Sequence, residues 1–145
     1  MREIKFRAKA GTQWRYGDLY HNEHGELMIY EPLTKGKTLD GAAVLGWRLV
    51  VDPGTVGQFT GLRDNEGREI YEGDIVKATL KEPSFVKRFR LQNELVGEMF
   101  FDNAWWMKER ETVNLIPPWR LRYYDLTVIG NVHDNPGLLE DKKDA

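Results

Sequence analysis

Polar and apolar residues alternate along most of this chain, and nowhere do apolar residues recur for long at helical spacing. Arg2 to Ala8 sets the pattern. Ile4, Phe6 and Ala8 fall on one face and Glu3, Lys5 and Arg7 on the other, which predicts a strand with one solvated side. Gln13 to Tyr20 carries Trp14, Tyr16 and Leu19, with Gly17-Asp18 as a bend or bulge. His21-Asn22-Glu23-His24-Gly25 is a turn by composition, and Glu26 to Tyr30 completes a meander. Glu31 to Ala43 reads as a loop. Leu45 to Val51 is again a strand, with Trp47, Leu49 and Val51 on one face. Asp52-Pro53-Gly54 ends it: the residue before proline is held extended, and Pro-Gly favours a type II turn.

The stretch from Val56 to Val76 organises the rest of the chain. It reads as a strand interrupted by Gly57 and Gly61, a tight turn at Arg63-Asp64-Asn65-Glu66-Gly67, a short strand, a bend at Glu72-Gly73-Asp74, and the start of a β-branched strand at Ile75. Asp64 suits the first position of a type I turn, where its carboxylate accepts a local N–H, and Gly67 suits the last. Gly73 supplies the backbone freedom of the second bend, with Asp74 beside it.

Ile75 to Leu80 is a strand that Glu82-Pro83 breaks. Phe85 to Arg90 is β-compatible, and its charges suit an edge strand that must not pair with strangers. Leu95 to Phe101 and Trp105 to Lys108 flank the hairpin signal Asp102-Asn103. Adjacent Trp105 and Trp106 must then face opposite sides, so one of them at most belongs to the core. Pro117-Pro118 opposes regular structure, and Leu126 to Val132 is a strand. Asn135-Pro136 resembles a helix start, asparagine at the N-cap and proline at the first helical position, with Leu138 and Leu139 closing the core in one helical turn.

The pattern therefore predicts a mainly β protein: an N-terminal β meander (residues 1–55) packed against a small, partly open β-barrel (residues 56–140), with a short C-terminal helical turn and a flexible tail at 141–145. A length of 145 residues with 12% aromatic content suffices for a packed core. No long apolar run predicts a membrane span, and the N-terminus lacks the apolar stretch of a signal peptide. With no cysteine there is no disulfide framework and no thiolate nucleophile, and a cytoplasmic location is expected. Charge is uneven: Lys and Arg outnumber Asp and Glu by 9 to 6 over residues 77–124, and fall behind by 2 to 5 over residues 125–145. Neither imbalance approaches the strongly basic footprint of a dedicated nucleic-acid binder.

Three blocks carry a family resemblance. They are Arg2-Glu-Ile-Lys-Phe-Arg-Ala8, then Val51-Asp-Pro-Gly-Thr-Val-Gly-Gln-Phe-Thr-Gly-Leu62 continuing through Gly67-Arg-Glu-Ile-Tyr-Glu-Gly-Asp-Ile-Val76, and Val128-Ile-Gly-Asn-Val-His-Asp-Asn-Pro-Gly-Leu-Leu139. Together they resemble the YopX-like family of phage and prophage proteins. Lys9, Gly54 and His133 depart from the family pattern, where an aromatic residue, a Glu and a Tyr are usual. The resemblance implies a compact, largely β protein from a mobile element. It carries over no reaction and no catalytic residue.

The residues themselves favour interaction over catalysis. Ser84 is the single serine and lies outside any nucleophile elbow. His21 and His24 sit in a turn, remote from His133, so no metal ligand set is expected. The carboxylates Asp64, Glu66, Glu69, Glu72 and Asp74 would have to converge to act as acid and base, and turn duties already occupy Asp64 and Asp74. No catalytic residue, cofactor or metal is expected. The candidate interaction surface is aromatic and basic: Phe85, Lys87, Arg88 and Arg90, then Trp105 and Trp106, then Trp119, Arg120, Arg122, Tyr123 and Tyr124. Trp, Tyr and Arg dominate protein interfaces, so a protein partner or self-association into a homo-oligomer is the leading expectation. Single-stranded nucleic acid is the alternative, because small β-barrels bind it with basic grooves and stacking rings, here with Lys81 and Phe89 added. A carboxylate- or metal-dependent enzyme is the remaining one.

Overall fold

The computed structural model of the chain describes residues 3–32, 46–101, 104–110 and 115–140. The expected Asp102-Asn103 turn, most of the 31–43 loop and the 141–145 tail lie outside them. The chain is mainly β, as its alternation predicts, and divides into two compact units, residues 1–59 and 60–145.

In the first unit β1 (Phe6–Ala10), β2 (Gln13–His21), β3 (Leu27–Pro32) and β4 (Gly46–Val50) form an antiparallel meander in the order β4-β3-β2-β1, and the start of β5 (Gly57–Arg63) pairs with β1. Ala8, Ile29 and Val51 form its buried core, with Ala10, Leu19, Leu27 and Val56 packed around them. The expectation of a solvated second face on β1 fails at Arg7. Trp14, on the paired strand, lies 4.6 Å from the Arg7 guanidinium, and this cation–π contact covers a side chain that is buried. The chain also leaves β4 differently from expectation. Asp52 is extended, but Pro53–Thr55 is a single 3-10 turn instead of a type II turn. The Asp52 carboxylate accepts the Gly54 N–H at 3.0 Å, and that local cap replaces the positive φ a type II turn would demand of glycine.

Gly17 marks the point where β2 changes neighbours. Residues 13–17 pair with β1 and residues 18–21 with β3. A side chain at position 17 would overlap the Tyr30 carbonyl oxygen, so the two strands approach this closely only because position 17 has no Cβ.

In the second unit the end of β5 neighbours β6 (Glu69–Tyr71). A five-stranded antiparallel sheet comes next in the order β10-β9-β8-β7-β11, from β7 (Asp74–Leu80), β8 (Glu94–Phe101), β9 (Trp105–Glu109), β10 (Leu115–Ile116) and β11 (Tyr124–Asn131). Ile70, Val76, Ala78, Leu80, Leu95, Met99 and Met107 are buried between these strands and their connections. Trp105 is 7% exposed and Trp106 half-buried, the split that adjacent strand positions require.

Two expectations are corrected. Phe85–Phe89 is a short helix, α1, and not an edge strand. Pro83 and Ser84 start a turn whose carbonyls accept the Val86 and Arg88 N–H groups, and Phe85 packs edge-on against Tyr123 at 5.5 Å. Arg90 ends the helix in the left-handed region, at φ 53°, a position usually given to glycine. Pro117-Pro118 does not exclude regular structure either. Pro118 begins a one-turn helix, α2 (Pro118–Leu121), at the position where a missing N–H costs nothing. The closing turn exists as a 3-10 turn over Pro136–Leu139, with Leu138 and Leu139 half-buried. Asn135 does not cap it; its side-chain oxygen accepts the Asn131 N–H at 3.3 Å instead.

Gly17→Ala is expected to destabilise the chain by about 2 kcal/mol or more, because the Tyr30 carbonyl has no room to retreat within the ladder. Urea unfolding of both proteins measures this, and an unchanged midpoint would contradict the packing described.

Candidate interaction site

The site is built around Asp64. Its side chain is fully buried at the head of the β5–β6 turn. Oδ1 accepts the backbone N–H groups of Glu66 (2.9 Å) and Arg68 (2.8 Å), which closes the turn, and the Gly67 N–H donates to the Asp64 carbonyl at 3.0 Å. Gly67 has φ 82°, as the last position of the turn requires. Oδ2 accepts the Arg68 Nε–H at 3.0 Å and the Val128 backbone N–H at 3.1 Å. Beside it the Asn65 N–H donates to the Leu126 carbonyl at 2.8 Å, and the Thr127 hydroxyl donates to the Asn65 side chain at 3.0 Å. The turn is therefore fastened to the outer edge of β11. Burial alone pushes the Asp64 carboxyl upward. The N–H groups of Val128, Arg68 and Glu66, with the Arg68 guanidinium, outweigh burial and hold it below the ordinary aspartate range.

This fastening creates a cleft of about 310 Å³. One wall is Leu62, Arg63, Asp64 and Asn65. The other is Pro118, Leu121 and Arg122 of α2 and its continuation. Tyr124, Asp125 and Leu126 of β11 run between them, and Trp105 and Lys81 complete the lining. The Tyr124 hydroxyl donates to the Gln92 carbonyl at 2.7 Å. Burial raises its pKa against the opposing pull of Arg120, so the phenol stays protonated. Arg122 lies over the Tyr123 ring at 5.2 Å, and its Nη2 donates to the Tyr123 hydroxyl at 3.2 Å. Trp119, on the same turn as Pro118 and Leu121, is 62% exposed.

The structure thus gathers Trp105, Arg122 and Tyr124 at the cleft, with Trp119, Arg120, Tyr123 and Phe85 on or against its α2 wall. Lys87, Arg88 and Arg90 are exposed on and just after α1, and Trp106 faces away from Trp105 on β9. The Leu62–Asn65 wall is not legible from sequence as part of any site, since nothing in the sequence links the turn to a strand more than sixty residues on. Trp47, which the alternation places among apolar neighbours, is 53% exposed on β4.

Four of the five acidic residues singled out from the sequence, Asp64, Glu66, Glu69 and Asp74, are each engaged by partners of their own. Asp74 is buried and accepts the Tyr71 N–H at 2.8 Å, and Gly73 beside it has φ 90°. Glu66 pairs with Arg68 at 2.8 Å, and Glu69 with Arg63 at 3.6 Å and the Tyr71 hydroxyl at 3.1 Å. A second cavity, of about 250 Å³, is lined by Glu98, Lys108, Glu109, Arg110 and Leu139. Burial raises the Glu98 carboxyl, opposed by Lys108 and His133 and reinforced by Glu72. The Arg110 guanidinium there is held by the Leu138 carbonyl at 3.0 Å. Among the described residues no group of three or more His, Asp or Glu side chains is placed to hold a metal ion, and no helix is long and apolar enough to cross a membrane.

A family model described as YopX protein matches residues 5–140 of the chain. Among solved structures, the protein yopX from Bacillus subtilis is similar at 20% identity with a TM-score of 0.54, covering 94% of this chain and 96% of that one. Protein EF1440 from Enterococcus faecalis is similar at 21% identity with a TM-score of 0.46, covering 97% and 100%. No curated protein matches. The likeness to the Bacillus protein is one of fold alone.

Because the Asp64 carboxyl is depressed, its contribution to stability is complete above the ordinary aspartate pKa of about 3.9 and is lost as pH falls below that value. Asp64→Asn turns an amide N–H toward the same donors and is expected to cost about 2–3 kcal/mol at neutral pH. Urea unfolding against pH should show the variant losing less stability on acidification than the parent. Parallel pH profiles would contradict this assignment.

Proposed function

The chain belongs to the YopX family, and from that membership we propose that it serves its phage or prophage, in the host cytoplasm, as a non-catalytic protein-interaction module that docks or self-associates through the cleft face of residues 60–145. The supporting observation is Trp119. An indole that is 62% exposed stands on the turn whose Pro118 and Leu121 line the cleft. Covering such a ring removes a large apolar area from water, and a tryptophan flanked by arginine and tyrosine has the composition of an interface hot spot. Arg122 and Tyr123 beside it are pre-ordered by their stacking and hydrogen bond, which lowers the entropy lost on docking.

Catalysis is disfavoured by the engagement of the acidic groups. Asp64 and Asp74 close turns, and Glu66 and Glu69 sit in ion pairs. The nucleic-acid reading has less support, because Lys87 and Arg88 project from a short helix and not along a strand lining a groove.

Trp119→Ala should leave the unfolding midpoint nearly unchanged, within about 0.5 kcal/mol as for most exposed positions. It should weaken association at least tenfold in light scattering across a wide concentration range, or in binding to a partner recovered from infected cells and purified. A parent protein that stays strictly monomeric and recovers no partner would overturn the proposal, as would association that the substitution leaves intact.

A further inference from the structure

The chemistry of the partner can be read from the edge of β11, an inference that rests on the cleft being the docking face. Along an antiparallel strand, the N–H and C=O of alternate residues point to opposite neighbours. The Leu126 carbonyl accepts from Asn65 and the Val128 N–H donates to Asp64, so before the bulge that follows Val128 the even-numbered residues of β11 point away from β7. Tyr124 is the next residue of that set, in unbroken register with Leu80. It lies in the cleft, and β11 is the last strand of its sheet among the described residues.

Asp64 and Asn65 thus already act as a short substitute for a neighbouring strand, supplying one acceptor and one donor to the edge. Their cover stops at Leu126. From there to Tyr124, itself 3% exposed, the strand lines the cleft beside the apolar Leu62, Pro118 and Leu121. An extended chain fits such a place, since backbone pairing gives affinity and alternate side chains enter the flanking walls. Charge narrows the choice. Lys81, Arg63 and Arg122 line the cleft. Glu69 shares Arg63, and the Asp64 charge is taken up by its four N–H donors, which leaves Asp125 as the opposing carboxylate. We propose that the cleft binds an extended acidic peptide segment of a partner protein, which continues the sheet at Tyr124 and places its carboxylates beside Lys81 and Arg122.

The test is selection of a random linear peptide library, displayed on phage, against the purified full chain, then fluorescence polarisation with the best synthetic peptide. Enriched peptides should carry Asp or Glu at alternate positions. Lys81→Glu and Arg122→Glu, both exposed and so expected to fold, should each weaken binding at least tenfold, with circular dichroism confirming the fold. N-methylation of alternate peptide amides should abolish binding in one register and spare it in the other. The inference fails if no peptide is enriched, if both N-methylated registers bind alike, if charge reversal changes nothing, or if a single-stranded oligonucleotide of mixed sequence takes the site in preference to the peptide. Should the peptide fail while Trp119→Ala still reduces association of the whole chain, the interaction reading stands and only the partner chemistry falls. Failure of both removes both.

Discussion

A buried carboxylate with four N–H donors is what the second unit of this protein depends on. Asp64 closes its own turn with Oδ1 and reaches the far strand β11 with Oδ2. A charge in such a place is costly unless every lone pair is used, and here the donors are two local amides, one guanidinium and one amide 64 residues distant. The same atoms therefore set the hairpin's shape, cover part of an open sheet edge, and fix one wall of the cleft. An edge with nothing over it invites pairing with any passing strand. Covering only part of it leaves a short, shaped stretch, and a short shaped stretch can be selective.

How much of this is legible in the sequence depends on the range of each interaction. Alternation reveals the strands, because a period of two is written locally. The Asp64–Gly67 turn is legible for the same reason: its donors lie within four residues of the carboxylate. The second half of the Asp64 role is not, because the Val128 amide is brought to it by the fold alone. Phe85–Phe89 misleads for a related reason. Its charges suit an edge strand, but Pro83 and Ser84 start a turn, and Phe85 finds its packing partner in Tyr123 on a distant segment. Pro118 misleads because proline bars a helix interior but not a first turn. Arg7 looks solvated because the pattern of a strand cannot show that the neighbouring strand places an indole over it.

The aromatic and basic residues singled out as an interaction surface fall into two groups by the physics that holds them. Tyr124 and Trp105 are buried and shape the cleft. Trp119 and Arg122 remain accessible on its rim. Shaping side chains contribute chiefly to the fold, and rim side chains contribute chiefly to a partner. The family fold, seen also in the similar Bacillus protein, supplies the strands, and the cleft combines residues of β5, β9 and β11 with turn and helix residues laid over the β11 edge.

Hydrogen exchange at the Val128 amide tests the central role of Asp64 most directly. At neutral pH that amide should be protected as strongly as the ladder amides of β11 that face β7, although no strand among the described residues lies beyond it. In acid, with exchange rates corrected for intrinsic chemistry, its protection should fall before theirs as the carboxylate takes up a proton. Rapid exchange at neutral pH, or a loss of protection in step with the whole strand, would mean that the carboxylate does not hold this edge.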